Sequence, residues 1–338
     1  MNEQSDIERA LATPEARVDV DEALSRFAAR VRREGAVPAP TAPRPRATSG
    51  WLRGLAAAAA VALVAGALAL SGAADSILKI FEPKSVVGVP VTQGDIKTLG
   101  QACAGLELDQ CLGAYGTFTW TTPPHPTEPR TLAEARAAAG FTPLAPSELP
   151  KGVSGQPRYA VINRSEATFT FSADAARATA ARMNRTAPPM PANIDGSKLF
   201  IAGGPAVVQI WGTGGSANST GGSALPTLIV GQTRAPTVSS DGVTVAELQS
   251  YLLQQPGVSP QLAAAIRAIG DPSSTLPVPV PAELAVSHPL TVQNVPGLFI
   301  GDNSGIASAI VWQKDGMMFE VIGSLTEQEA LAVANSLR

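Results

Sequence analysis

The sequence predicts an α+β fold, with a single transmembrane helix followed by an extracytoplasmic antiparallel sheet and segregated helices. Three observations favour this class. An uncharged run spans Gly54 to Ala74, strand-like segments follow one another through short loops, and helix-capping signals lie between them. With 338 residues, 45% of them apolar, the chain has room for one large domain or two small ones. A net charge of −3 provides no general field for a polyanion, so no direct nucleic-acid binding is expected.

Residues 1–50 are predicted to be a cytoplasmic segment with one amphipathic helix over 19–34. Asp19 is placed to cap its start and Gly35 follows its end. One helical face carries the partner-docking residues Val20, Leu24, Phe27 and Val31. A helix this short needs cover for that face. A cytoplasmic protein, the upstream segment, or anionic lipid could each supply it, and a Pro-rich tether then leads to the membrane.

The uncharged run is predicted to cross the lipid bilayer once, over residues 51–74. Its 21 uncharged residues, at about 1.5 Å each, cover roughly the 30 Å hydrocarbon core. A buried Ala-rich helix and a signal peptide cleaved after Ala74 are the alternatives. Several arginines precede the run, whereas only Lys79 and Lys84 follow closely, which predicts an inner-membrane protein with a cytoplasmic N-terminus.

Residues 75–130 are expected to form an extracytoplasmic linker that contains both cysteines of the chain. In an oxidising compartment, a disulfide between Cys103 and Cys111 would stabilise the fold by roughly 2.5 kcal/mol. Free buried cysteines are the alternative. Two cysteines without a neighbouring histidine make a poor metal site, so no metal is predicted.

Residues 131–338 are predicted to be the extracytoplasmic α+β domain. Capping signals predict helix starts at Thr131, Thr244, Ser259 and Thr326. Alternating apolar residues predict strands over 158–163, 167–171, 206–211, 225–232, 306–313 and 317–322. The last two strands flank an Asp315-Gly316 turn.

No catalytic residues and no cofactor site are predicted. The loop Gly301–Gly305 has the composition of a protease nucleophile loop, but His125 and His288 both lie beside prolines in apparent loops. The Gly/Ser stretch 212–222 lacks the lysine of a phosphate-binding loop and is interpreted as a flexible connection. The sequence therefore favours a protein that is not an enzyme.

Two segments resemble a bacterial domain of unknown function. They are AEARAAAGFTPLAPSELPKG from Ala133 and AIVWQKDGMMFEVIGSLTEQEALAVANSLR from Ala309. That domain occurs in membrane-anchored anti-sigma-factor-like proteins and in lipoprotein-carrier-like chains, and the resemblance covers residues 131–338. It implies a single-pass regulator whose inner helix binds an RNA polymerase sigma factor, here through Val20, Leu24, Phe27 and Val31. The His/Cys cluster of the zinc-binding branch is absent.

A second function follows from the same organisation. The outer domain would be an anchored envelope module whose concave sheet binds a lipid, a lipoprotein or a peptide. The sequence does not identify this extracytoplasmic ligand.

Overall fold

Strands account for most of the regular structure in the computed structural model. It describes residues 78–95, 113–182, 184–212, 227–255, 258–303 and 307–338. Of these, 42% lie in strands and 21% in helices. All of them belong to the structural unit Trp51–Arg338.

Strands outnumber helices along the described part of the chain. In chain order, the strands are β1 (Leu78–Phe81), β2 (Ser85–Val91), β3 (Gly116–Thr122), β4 (Pro126–Thr127), β5 (Arg158–Ile162), β6 (Ser165–Phe171), β7 (Lys198–Gly203), β8 (Ala206–Trp211), β9 (Leu228–Arg234), β10 (Thr237–Ser240), β11 (Thr275–Pro281), β12 (Ala285–Val292), β13 (Val295–Asp302), β14 (Ser308–Lys314) and β15 (Met317–Gly323). The helices are α1 (Leu132–Ala139), α2 (Ala173–Arg182), α3 (Val245–Leu252), α4 (Pro260–Arg267) and α5 (Glu327–Ser336).

The described strands form three sheets. An eight-stranded antiparallel sheet has the order β12-β13-β14-β15-β9-β8-β5-β4, and a five-stranded antiparallel sheet has the order β1-β10-β7-β6-β3. The third sheet is the parallel pair β11 and β2. Strands β1 to β4, from the segment expected to be a linker, pair with strands from the rest of the chain in all three sheets.

Within the described residues, the chain passes four times between the two large sheets through short corners. β3 continues into β4, β5 into β6, β7 into β8, and β9 into β10, and these bent strands stay paired side by side in both sheets. Strands that switch sheets in this way make the corner of a folded sheet. At the corner between β7 and β8, Gly204 has φ 71°, and a Cβ there would stand 3.1 Å from the carbonyl oxygen of Asn163. Glycine therefore permits the close approach of two corners.

One face of the eight-stranded sheet is covered by helices. Ala135 and Ala139 of α1 pack on the β5 and β8 side. Ala330, Val333 and Ala334 of α5 pack over a stacked pair, Trp312 and Phe319, whose ring centroids are 5.2 Å apart. The opposite face is turned towards β11 and the five-stranded sheet, and it is free of helices among the described residues.

The core of the five-stranded sheet packs against α3. Phe169, Phe171 and Ile201 from the sheet meet Leu248 and Tyr251 from the helix. Leu276 of β11 and Met318 of β15 join the same cluster. The two large sheets and the parallel pair therefore share one apolar interior.

The predicted α+β class with segregated helices is wrong. The described part is mostly β, with helices placed around several sheets. Proline is one physical reason: β2, β11 and β12 contain prolines, which donate no hydrogen bond to a ladder and make a strand hard to predict. β12 lies at a sheet edge, and β2 and β11 form a sheet of only two strands, where proline is tolerated.

The described ranges contain no helix with both the length and the apolar composition needed to cross a bilayer. The predicted transmembrane segment 51–74, the amphipathic helix 19–34 and all but the first residue of the Gly/Ser stretch 212–222 lie outside those ranges.

Candidate ligand-binding cavity

A cavity of about 410 Å³ lies inside the bend between the sheets. Its floor is the helix-free face of the eight-stranded sheet, and β11 forms another wall. Three of the four corners line it, through Asn163, Gly204 and Pro236. Cavities of about 300 to 1,000 Å³ are typical of small-molecule sites, so this one is large enough for a ligand.

The strand pattern explains why the lining is apolar. Side chains alternate between the two faces of a strand, so every second residue of an interior strand reaches the cavity. The cavity-facing apolar residues include Val208, Ile300, Val311, Met318 and Ile322. Since the other face is covered by helices, strands such as β15 are apolar on both sides.

One acidic side chain interrupts this lining. Glu320 lies in the middle of β15, directly opposite Gly231 of β9 and Val311 of β14. A Cβ at position 231 would stand 2.2 Å from Oε1 of Glu320. The glycine therefore makes room for the Glu320 side chain to lie across the neighbouring strand.

The environment of Glu320 disfavours its charged form. Burial raises the pKa of its carboxyl to about 7. Within the described part of the chain, no side-chain hydrogen bond or ion pair to this carboxyl is found. Glu320 keeps some accessible surface although β15 is an interior strand, and that surface faces the cavity. A carboxyl without a partner in an apolar cavity is a group that a ligand can satisfy.

The other polar residues of the lining are near the corners. Asn163 donates from Nδ2 to the carbonyl oxygens of Arg164, at 2.7 Å, and Pro123, at 3.3 Å. Thr233 donates to the carbonyl oxygen of Pro205 at 3.2 Å. Arg234 is exposed at the same end. The cavity therefore has an apolar interior with one carboxyl, and a polar end at the corners.

None of the site residues predicted from the sequence is among the described residues. These are Cys103, Cys111 and the docking residues Val20, Leu24, Phe27 and Val31. Among the residues that are described, no group of three or more His, Cys, Asp and Glu side chains could hold a metal.

Sequence reasoning missed Glu320 and Gly231, although both left a signal. Glu320 is the one charged residue of MMFEVIG, and Gly231 interrupts the apolar strand LIVGQTR. A glycine inside a strand often marks a close approach of another group. Only the pairing of β9 with β15 shows that the two signals belong together.

Comparisons with protein-family models, with curated proteins and with solved structures found no match to this chain.

Proposed function

We propose that the described domain is a binding module for an amphipathic ligand with an alkyl chain. The observation that carries the proposal is the apolar cavity of about 410 Å³ inside the bent sheets. Each CH₂ group moved from water into such a cavity contributes about 0.8 kcal/mol. A single chain therefore gains useful affinity without any directional contact.

The backbone around the cavity favours an alkyl chain over a peptide. An extended peptide binds by adding a strand to an open edge. The floor strands β8, β9, β14 and β15 are interior strands, so their backbone groups are already paired. In β11, every second residue from Pro277 to Pro281 is a proline, which has no backbone N–H. The N–H groups of the residues between the prolines therefore make the bonds to β2. The open edge of β11 therefore lacks N–H donors for a peptide.

Photo-labelling tests this function directly. The full-length chain, in lipid nanodiscs, would be irradiated with a dodecyl probe that carries a diazirine, and labelled peptides would be located by mass spectrometry. We expect label on the cavity-facing residues of β8, β14 and β15. Label spread over the surface, with none on these strands, would contradict the proposal.

A matched pair of tryptophan variants separates cavity binding from general surface binding. Ala309 faces the cavity from β14, so Ala309→Trp should narrow it and reduce labelling of these strands. Ala178 is exposed on α2 and outside the lining, so Ala178→Trp should leave labelling unchanged. Equal labelling of both variants would place the probe elsewhere.

We also propose that this module is held at the inner membrane with its N-terminus in the cytoplasm. The uncharged run 54–74 and the excess of arginines before it support this location. Proteolysis of spheroplasts tests it. An N-terminal tag should be protected and the C-terminal domain digested, whereas the reverse pattern would contradict the orientation.

A disulfide between Cys103 and Cys111 is part of the same proposal, because it needs an oxidising compartment. Peptide mapping without reduction should recover the two cysteines in one linked peptide. Two alkylatable thiols in freshly isolated membranes would contradict the disulfide.

The second candidate function is that of an anti-sigma-factor-like regulator, in which ligand binding outside changes the docking of a cytoplasmic partner. The observation that favours it is the apolar stripe at Val20, Leu24, Phe27 and Val31 in a segment with strong helix signals. Affinity capture with the full-length chain should recover a sigma factor. Leu24→Asp should abolish recovery, and Ser25→Asp, on the polar face, should not. If neither the unmodified chain nor the Ser25→Asp variant recovers a sigma factor, this function is rejected.

A further inference from the structure

We infer that the ligand carries an alkyl ammonium group, and that Glu320 binds this group inside the cavity. The inference rests on the proposed function, because it assigns the polar end of the amphipathic ligand. The apolar chain would occupy the rest of the lining.

The described residues next to Glu320 include no charged side chain that could pair with its carboxyl, so a ligand can take that place. Its cavity-facing neighbours are Gly231 and Val311 on the adjacent strands, and Met318 and Ile322 on β15 itself, none of which is charged. β11 contributes Leu276, Val278, Pro279 and Pro281 to the lining. β8 contributes Ala206 and Val208, and β6 contributes Ser165. Among the described lining residues, Arg234 is the only one besides Glu320 with a formal charge.

Arg234 is placed too far along its strand to serve as the ordinary partner of Glu320. It is three residues beyond Gly231 on β9, which corresponds to about 10 Å of strand. It is also exposed, at the end where the corners lie. An apolar cavity with a carboxyl inside and a cation only at its end selects for a positive group on the part of the ligand that reaches the interior.

An ammonium group fits this carboxyl better than other polar groups. It has the opposite charge and three donors, and charge-assisted hydrogen bonds are roughly twice as strong as neutral ones. An alcohol offers one neutral donor. A carboxylate on the ligand would be repelled by an ionised Glu320, since like charges in an apolar site disfavour each other.

The ionisation of Glu320 gives the binding a characteristic pH dependence. Because burial raises the pKa of this carboxyl to about 7, its ionised fraction rises about tenfold between pH 6 and pH 8. An alkyl ammonium, like a lysine side chain with a pKa near 10.4, stays charged over this range. Binding of an alkyl ammonium should therefore strengthen about tenfold, while binding of an alcohol should not change.

Displacement of the dodecyl diazirine probe from the full-length chain in nanodiscs tests the inference. The competitors are octylammonium, octanol and octanoate, each measured at pH 6 and at pH 8 in the same neutral lipid. For the unmodified chain we expect octylammonium to be the strongest competitor at pH 8. Its half-displacing concentration should be about tenfold lower at pH 8 than at pH 6.

Glu320→Gln supplies the matched variant, because Gln has nearly the same shape and no charge. It should still be labelled by the probe, which shows that the cavity has folded. It should lose the preference for octylammonium and its pH dependence, with octanol unaffected. The competitors partition into the nanodisc lipid to the same extent for both chains, so this effect cancels when the variant is compared with the unmodified chain.

The outcomes separate the inference from the function on which it rests. Normal labelling with equal displacement by octylammonium and octanol would overturn the ammonium assignment and leave the alkyl-binding function standing. The same holds if Glu320→Gln keeps the full preference for octylammonium. A failure of the probe to label β8, β14 and β15 would instead overturn the function, and the inference with it.

Discussion

Gly231 and Glu320 face each other across β9 and β15, and the Glu320 side chain occupies the space above the Gly231 α-carbon. A Cβ at position 231 would stand 2.2 Å from Oε1 and 2.5 Å from Cγ of Glu320. Glycine inside a strand costs roughly 0.5 to 1 kcal/mol relative to alanine. The two residues therefore act as a pair, in which a weak strand former on β9 makes room for the carboxyl on β15.

Gly231→Ala should therefore destabilise the fold, although alanine is the better strand residue. The added methyl group forces the Glu320 side chain or β9 to move, and overpacking of this kind costs at most about 1 to 3 kcal/mol, since the cavity gives the side chain room to shift. Urea unfolding of the full-length chain, followed by tryptophan fluorescence, measures the cost. In a Glu320→Ala background the same change should cost little or be stabilising, because the clashing atoms are gone. An equal cost in both backgrounds would contradict the pairing.

Glu320→Gln should change how stability depends on pH. The carboxyl has an ordinary pKa of 4.5 and a folded-state pKa of about 7. Between these values the folded state binds more protons than the unfolded state, so this group lowers stability as pH rises. The accumulated loss above pH 7 is on the order of 3 kcal/mol.

The variant lacks this loss, so the difference in urea unfolding free energy should shift in its favour between pH 4 and pH 8. Comparing the two chains at each pH removes the contributions of all other titrating groups. A difference that stays constant over this range would show that Glu320 titrates alike in both states.

Local signals in the sequence predicted several elements correctly. The Thr131, Thr244, Ser259 and Thr326 caps all begin helices in the structure. The Asp315-Gly316 turn joins β14 to β15 with φ of 51° and 75°, as a two-residue hairpin requires. These features are encoded by a few neighbouring residues, which is why they can be recognised without the rest of the chain.

Features that depend on distant pairing could not be predicted in this way. The sequence gives no sign that β2 pairs with β11, about 190 residues away, or that four strands bend from one sheet into another. The cavity exists only because of those bends. Glu320 could be noticed as a charge in an apolar strand, but its position in a cavity follows from the topology alone.

Gln232→Leu should loosen the segment that leads from α1 to β5. The Leu144 N–H donates to Oε1 of Gln232 at 2.7 Å, and both Gln232 and Gln209 donate to the Leu144 carbonyl oxygen. The variant leaves the Leu144 N–H without its acceptor, which costs about 1 to 3 kcal/mol. Hydrogen exchange at the Leu144 amide should accelerate. The exposed Gln254→Leu is the control, and equal effects of the two variants would show that the Gln232 hydrogen bonds do not hold Leu144 in place.

Thr326→Ala should fray the start of α5, the helix that covers Trp312 and Phe319. The Thr326 hydroxyl accepts from the Glu329 N–H at 3.3 Å, and Oε2 of Glu329 accepts from the Thr326 N–H at 2.9 Å. Loss of such a cap costs about 0.5 to 2 kcal/mol, whereas Thr326→Ser should keep it.

The penalty of Thr326→Ala should itself depend on pH, with a predictable sign. Hydrogen bonds from the Thr326 N–H and hydroxyl hold the pKa of Glu329 below its ordinary value. A lowered pKa stabilises the fold above the ordinary pKa, and this contribution is lost as pH falls through the lowered one. In urea unfolding, Thr326→Ala should therefore cost less near pH 3 than at pH 7. A penalty that is the same at both pH values would mean that the hydroxyl caps the helix without involving the Glu329 carboxylate.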